Sequence, residues 1–131
     1  MGVVHWIVDG NNVMGAGADG WWNDPPAAAA RLAQRVAEWC RTHDDDVTLV
    51  FDGRPVDAVG AKAGGPLAVE FAPRPGRDAA DDRIVELAEE LFVDPELRVV
   101  TSDKGLVARL PPGVEVVGSG AFRRGPLGLS R

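Results

Sequence analysis

Three carboxylates in this sequence each stand where an apolar run ends. Asp9 closes Val3, Val4, Trp6, Ile7 and Val8; Asp52 closes Val47 to Phe51; and Asp103 follows Leu97 to Val100 across Thr101 and Ser102. A further group, Asp78, Asp81 and Asp82, opens the segment GRDAADDRIVELAEEL. Carboxylates that converge repel one another unless a cation lies among them, and oxygen-only donors with water suit Mg²⁺ and Mn²⁺. Such an ion can activate a water and steady the charge that builds on a phosphodiester in its transition state. The chemistry these residues point to is metal-dependent phosphodiester hydrolysis. Asn11 and Asn12 follow the first carboxylate directly, and their short amides can bind water, phosphate oxygens or the water shell of an ion. Each piece also has a plainer reading. Asp-Gly-Asn is ordinary turn chemistry, Asp is a good helix cap, and acids near a helix start are favoured by the macrodipole.

What favours the chemical reading is the set of elements that must position these groups. Val3 to Val8 reads as a central strand buried on both faces, with Gly10 allowing a sharp turn after it. Gly15 to Asn23 is a glycine-rich loop carrying Trp21 and Trp22. Asp24-Pro25-Pro26 predicts a capped helix start, and Leu32, Ala33, Val36, Ala37 and Cys40 recur at helical spacing to about His43. Asp44-Asp45-Asp46 reads as a solvated turn before a strand at Val47 to Phe51. Residues 54–66 read as loop, and Leu67 to Phe71 as a third strand. Asp78 starts a helix to about Phe92 with Ile84, Leu87, Ala88 and Leu91 as its buried stripe. On a 100° wheel Asp81 then leans toward the sheet edge, with Asp82 and Asp78 turned progressively outward. Leu97 to Val100 predicts a fourth strand, Thr101-Ser102-Asp103 the cap of a short helix through Leu110, and Val114 to Val117 a fifth strand. Gly118 to Arg131 reads as a loose tail.

Strands alternating with helices imply right-handed crossovers and a mostly parallel five-stranded sheet in a three-layer α/β/α sandwich. In such a sheet the strand-end carboxylates share one carboxyl edge, where open α/β sheets keep their ligands.

With 131 residues, 45% of them hydrophobic, the chain fits one domain with a core. Residues 1–120 are expected to form that domain and 121–131 a C-terminal tail. Its one cysteine, Cys40, rules out an internal disulfide or a cysteine metal site. No apolar run reaches membrane-spanning length and no basic stretch precedes an apolar one at the start, so the expectation is a cytoplasmic protein without membrane contact. A formal charge of −6 argues against a general polyanion binder, yet a carboxylate cluster would produce that bias and reverse it locally by binding a divalent ion.

Taken in order, DGNNVM after the first strand, VTLVFDG at the second, AADDRIVELA on a helix and VVTSDKGL after the fourth resemble the NYN domain family, in its YacP-like ribonuclease branch within the PIN-like nuclease superfamily. The resemblance covers roughly the first 120 residues. It implies a PIN-like, Rossmann-like fold and Mg²⁺- or Mn²⁺-dependent cleavage of RNA. By the same resemblance Asp9, Asp81, Asp82 and Asp103 are metal ligands, Asn12 joins them in catalysis, and Thr101 and Ser102 lie beside the substrate. Where the pattern commonly has tyrosine, this chain has Asn11, and it contains no tyrosine at all.

RNA needs more than a metal. Arg54, Lys62, Arg74, Arg77, Arg83, Arg123 and Arg124 are candidate phosphate contacts, although scattered arginines on an acidic protein are more often solubilising charge. Trp21 and Trp22 can stack on unpaired bases, with at least one expected to pack under its own loop. His5 and Cys40 read as core, and His43 as a partner of a helix end. A haloacid-dehalogenase phosphatase needs a second Asp where Asn11 stands, and a receiver domain needs its Asp after the third strand. Two further readings stay open: a non-catalytic RNA-binding or scaffold module of the same fold, and a PIN-type toxin nuclease. A homodimer, and a ribosomal or other protein partner, are likewise open.

Overall fold

The computed structural model describes residues 4–18, 20–72, 78–92 and 96–129. Its strands are β1 His5–Asp9, β2 Asp46–Phe51, β3 Leu67–Phe71, β4 Leu97–Val100 and β5 Glu115–Val117. Its helices are α1 Gly10–Gly15, α2 Pro25–Cys40, α3 Asp57–Gly60, α4 Ala79–Leu91, α5 Lys104–Arg109 and α6 Ser119–Arg124, with one 3₁₀ turn at Trp21–Asn23. All five strands pair in parallel, in the order β3-β2-β1-β4-β5. The chain winds outward from β1 through β2 to β3, then returns to pair β4 on the other flank of β1. The order therefore reverses beside β1, and the crevice outside the carboxyl ends of β1 and β4 is the place such a sheet offers a ligand.

Successive side chains of β1 leave opposite faces of the sheet, and both faces are covered. Trp6 and Val8 belong to a core with α2 and α6, through Leu32, Val36, Phe122 and Leu127, while Ile7 belongs to a second core with α4 and α5, through Ile84, Ala88 and Leu106. The result is the expected three-layer α/β/α sandwich. Burying Ile7 completely is worth roughly 1.5–3 kcal/mol, which explains why the central strand reads as a continuous apolar run rather than an alternating one. Helix α2 starts as its sequence demands: the Asp24 carboxylate accepts from Ala27 N at 3.2 Å, with proline in the first turn.

Four local expectations are corrected. Gly10 does not open a turn; it begins α1 directly after β1. A Cβ there would lie 2.6 Å from Phe51 Cε1, so Gly10 serves close approach of helix to strand. Residues 54–66 are not all loop, since α3 buries Val59 against the α2 core. The acidic triplet is not simply solvated. Asp45 accepts from Val4 N and from Trp6 Nε1, both at 3.0 Å, and so ties the amino ends of β1 and β2 together. Finally, the tail is not loose. Ser119–Arg124 form α6, Phe122 and Leu127 are fully buried, and Phe122 packs against Trp6 and Trp39. Among the described residues no helix is long and apolar enough to cross a membrane.

Candidate active site

The sheet edge gathers five carboxylates and two amides. Asp9, Asn11, Asn12, Asp52, Asp78, Asp81 and Asp103 line one shallow cleft of about 280 Å³ at the carboxyl ends of β1, β2 and β4 and the start of α4. Each is placed by a local necessity. Asp9 is both the last residue of β1 and the N-cap of α1, which leaves its carboxyl buried at 4% exposure. Asp103 caps α5, accepting at Oδ1 from Gly105 N at 2.8 Å and Leu106 N at 3.2 Å. Asp52 leaves β2 and accepts from Ala80 N at 2.9 Å, so it fixes the first turn of α4. That contact brings Asp81, one residue on, to the cleft.

Burial and like charge set the electrostatics. The Asp9 carboxyl is pushed up from 3.8 to about 6, chiefly by burial, opposed by the Thr101 hydroxyl and reinforced by Asp81 and Asp52. The Asp81 carboxyl is also raised, first by burial and then by Asp103, Asp78 and Asp52, with Arg109 working the other way. Two carboxyls held above their ordinary range in one cleft make it a functional-site candidate on physical grounds.

Hydrogen bonds fix which atoms face the cleft. Thr101 Oγ1 donates to Asp9 Oδ2 at 2.8 Å and accepts from Asp103 N at 3.1 Å, so one hydroxyl orients both strand-end acids. Asn12 Oδ1 accepts from Ser102 N at 2.9 Å and from Ser119 Oγ at 2.5 Å. Asn11 Oδ1 accepts from Asp52 N at 2.7 Å. A backbone N–H can only donate, so the orientation of both amides is settled with the oxygen toward the backbone. With both lone pairs of its oxygen engaged, Asn12 meets the cleft as a donor toward an anion, while Asn11 keeps one lone pair beside its NH₂. Ser119 is fully buried, and its N–H is held by Ser102 Oγ at 2.9 Å. Sequence reasoning missed Ser119 because its place depends on α6 packing back onto α1.

The remaining sequence candidates divide. Asp82 does not line the cleft: it is ion-paired with Arg109 Nη2 at 2.7 Å, bridging α4 to α5. One residue is 100° on a helix, and the step from Asp81 to Asp82 crosses the rim. Arg109, with no sequence signal beyond its position in the last turn of a short helix, was also missed. Trp21 is half-buried against the α2 core, whereas Trp22 is 59% exposed. Arg123 is no surface contact; it is buried and donates to Val13 O at 3.3 Å, near the C-terminal end of α1. Arg83 is held by Glu70 and Glu86. Lys62 lies with Arg41 at the amino edge of the sheet, away from the acids. Arg74 and Arg77 lie outside the described residues.

The donor set fits Mg²⁺ or Mn²⁺ in kind, being carboxylate oxygens with no imidazole or thiolate among them. Among the described residues, however, no three of His, Cys, Asp or Glu stand close enough together to hold an ion by themselves. Mg²⁺ ordinarily keeps several waters and binds through one or two carboxylates rather than a closed cage, which an open cleft of separate carboxylates suits.

No protein-family model matches the chain, and no curated protein matches it. Solved structures do. A mutant of Rae1 (YacP) from Bacillus subtilis matches with a TM-score of 0.71 at 25% identity, over 95% of this chain and 75% of that one. Another structure of Rae1 (YacP) matches with a TM-score of 0.71 at 22% identity, over 96% and 74%. The likeness agrees with the five-stranded parallel α/β fold and with the resemblance carried by the motifs.

Proposed function

We propose that the chain is a divalent-metal-dependent ribonuclease that hydrolyses phosphodiester bonds within single-stranded or looped RNA. The observation that carries this reading is the convergence of Asp9, Asp52, Asp78, Asp81 and Asp103 with Asn11 and Asn12 on one cleft at the point where the strand order reverses. The likeness in fold to Rae1 (YacP) supports it. When bound, Mg²⁺ or Mn²⁺ would supply an activated water and positive charge to offset that of the phosphate. Asp9, Asp81 and Asp103 are the residues that would hold the ion, part of them through its waters. Thr101 keeps the Asp9 and Asp103 ends of the cleft in register. Asn12, locked by Ser102 and Ser119, offers its NH₂ to a non-bridging phosphate oxygen, and Asn11 offers a second. Asp82 holds α4 against α5 through Arg109 and orients the Asp81 side of the cleft without entering it. An open edge of this kind suits an unpaired strand, whose bases can reach an exposed aromatic such as Trp22 while its phosphates reach the acids.

A second reading, a non-catalytic RNA-binding module, is favoured by one observation only: no ready-made ligand triad stands among the described residues. End-labelled unpaired, looped and duplex RNA of matched sequence, incubated with Mn²⁺, Mg²⁺ or EDTA, separates the two. Cleavage of the unpaired substrates that stops in EDTA is the expected result. RNA bound but uncut in every metal supports the second reading.

A further inference from the structure

Beside the acidic edge lies a second concavity of different character. It encloses about 330 Å³ between the start of α2, the carboxyl ends of β2 and β3, and the segment before α3, and its walls are Phe51, Phe71, Pro25, Pro26 and Val56 with Arg54 at the mouth. The two phenyl rings lie nearly parallel, 26° apart with centroids at 6.0 Å. The two concavities share Asn11 and Asp52, so they form one continuous surface along the sheet edge. They are also built on one turn of backbone: Gly10 packs against Phe51 on one side and joins Asp9 to Asn11 on the other.

We propose that this apolar cleft holds one nucleobase of the RNA strand, turned out beside the phosphate that is cut. The inference rests on the ribonuclease reading and names what that site recognises. The volume is at the small end of ligand sites and suits a single ring system rather than a larger molecule. Phe51 is nearly buried, but the half-buried Phe71 ring and the exposed Pro25 and Pro26 offer flat faces that match those of a base, and unstacked bases are what RNA-cleaving and RNA-binding surfaces seize. Among the described residues Arg54 is the one cation lining this cleft, and the phosphate flanking the bound base needs such a partner. Asn11 lines both concavities, so its side chain is available to the ribose-phosphate as it passes from one to the other.

The test uses the intact protein in EDTA, where no cleavage occurs, with amide resonances followed by NMR during titration with each nucleoside 5′-monophosphate and with ribose 5-phosphate. The nucleotides should shift Arg54, Val56 and Phe71 saturably, and ribose 5-phosphate should not. Val56→Trp, which fills the cleft, should abolish the shifts. Arg54→Glu, on the surface and harmless to folding, should weaken them should the first variant unfold. In Mn²⁺, an RNA carrying one abasic nucleotide next to the cut position should be cleaved about tenfold more slowly than the intact RNA by the wild type, and equally with it by Val56→Trp. Shifts from ribose 5-phosphate equal to those from nucleotides, or none from either, would overturn the inference. Saturable nucleotide shifts in a protein that cuts no RNA would sustain the base site and remove the nuclease reading. Cleavage without such shifts would do the opposite.

Discussion

Replacing Asp9 by asparagine should make the metal-free protein more stable at neutral pH. The carboxyl is 4% exposed and titrates at about 6 instead of 3.8. At 1.36 kcal/mol per pH unit, holding it ionised in the fold costs up to ~3 kcal/mol. Because the folded value is raised, the favourable contribution of the protonated form is complete below 3.8 and is lost as pH rises through about 6. The cost is therefore carried by the wild type at pH 7.5 and absent near pH 3.8. Asparagine keeps the shape, and its amide oxygen can still accept from Thr101 Oγ1. We expect Asp9→Asn to gain about 1–3 kcal/mol at pH 7.5, a rise in Tm on the order of 3–10 °C for a domain of this size. The gain should shrink as pH falls through 6 and vanish near 3.8. Thermal melts of both proteins in EDTA across that range measure it directly. A variant no more stable than the wild type at pH 7.5, or a difference that ignores pH, would refute the burial argument.

Three further outcomes follow from the same geometry. Millimolar Mn²⁺ should raise the Tm of the wild type, by about 2.7 kcal/mol of stability at a hundred times Kd, and leave Asp9→Asn almost unmoved; a flat response in both would count against the metal site. Trp22→Ala should weaken binding of unpaired RNA by about 1–3 kcal/mol with no loss of Tm, while Trp21→Ala should lower Tm because that ring packs on the α2 core; filter binding and melts distinguish the two. Burial alone would raise the Asp45 carboxyl, but the Trp6 indole, the Val4 amide, His43 and Arg98 outweigh it and hold it low, so its contribution is present above the ordinary carboxylate range and fades as the solution is acidified. Asp45→Ala should lose about 1–2 kcal/mol at pH 7, and Asp44→Asn nothing, as measured by urea unfolding.

The parts legible in the sequence are those carried by long regular signals. Strands β1, β2 and β4 announce themselves as apolar runs ending near an acid, α2 and α4 by their stripes, and their alternation alone fixes a parallel sheet whose ends bring Asp9, Asp52, Asp81 and Asp103 to one edge. What was not legible depends on contacts between distant segments. Gly10 looks like a turn residue until Phe51 is placed against it. Helix α6 is too short to show a period, and only its packing against Trp6 and Trp39 reveals Phe122 as core and Ser119 as the partner of Asn12. Asp82 separates from Asp81 because Arg109, 27 residues later, lies on its side of α4. The acidic triplet reads as solvent-facing by composition, yet its middle carboxylate meets two donors from β1 and its approach.

In the proposed reaction the carboxylates of this edge act together, through a divalent ion, on a phosphodiester. The most direct test compares cleavage of one unpaired, end-labelled RNA by the wild type, Asp81→Asn and Asp82→Asn, purified in parallel and each measured in Mn²⁺ and in EDTA. Asp81→Asn should reduce the rate by at least about a hundredfold, since a lost ligand charge removes both metal affinity and transition-state stabilisation. Asp82→Asn, which loosens the bridge to Arg109 outside the cleft, should keep most of the activity, and EDTA should silence all three. Equal rates for the wild type and Asp81→Asn, or cleavage that survives EDTA, would rule out a metal held by this cleft.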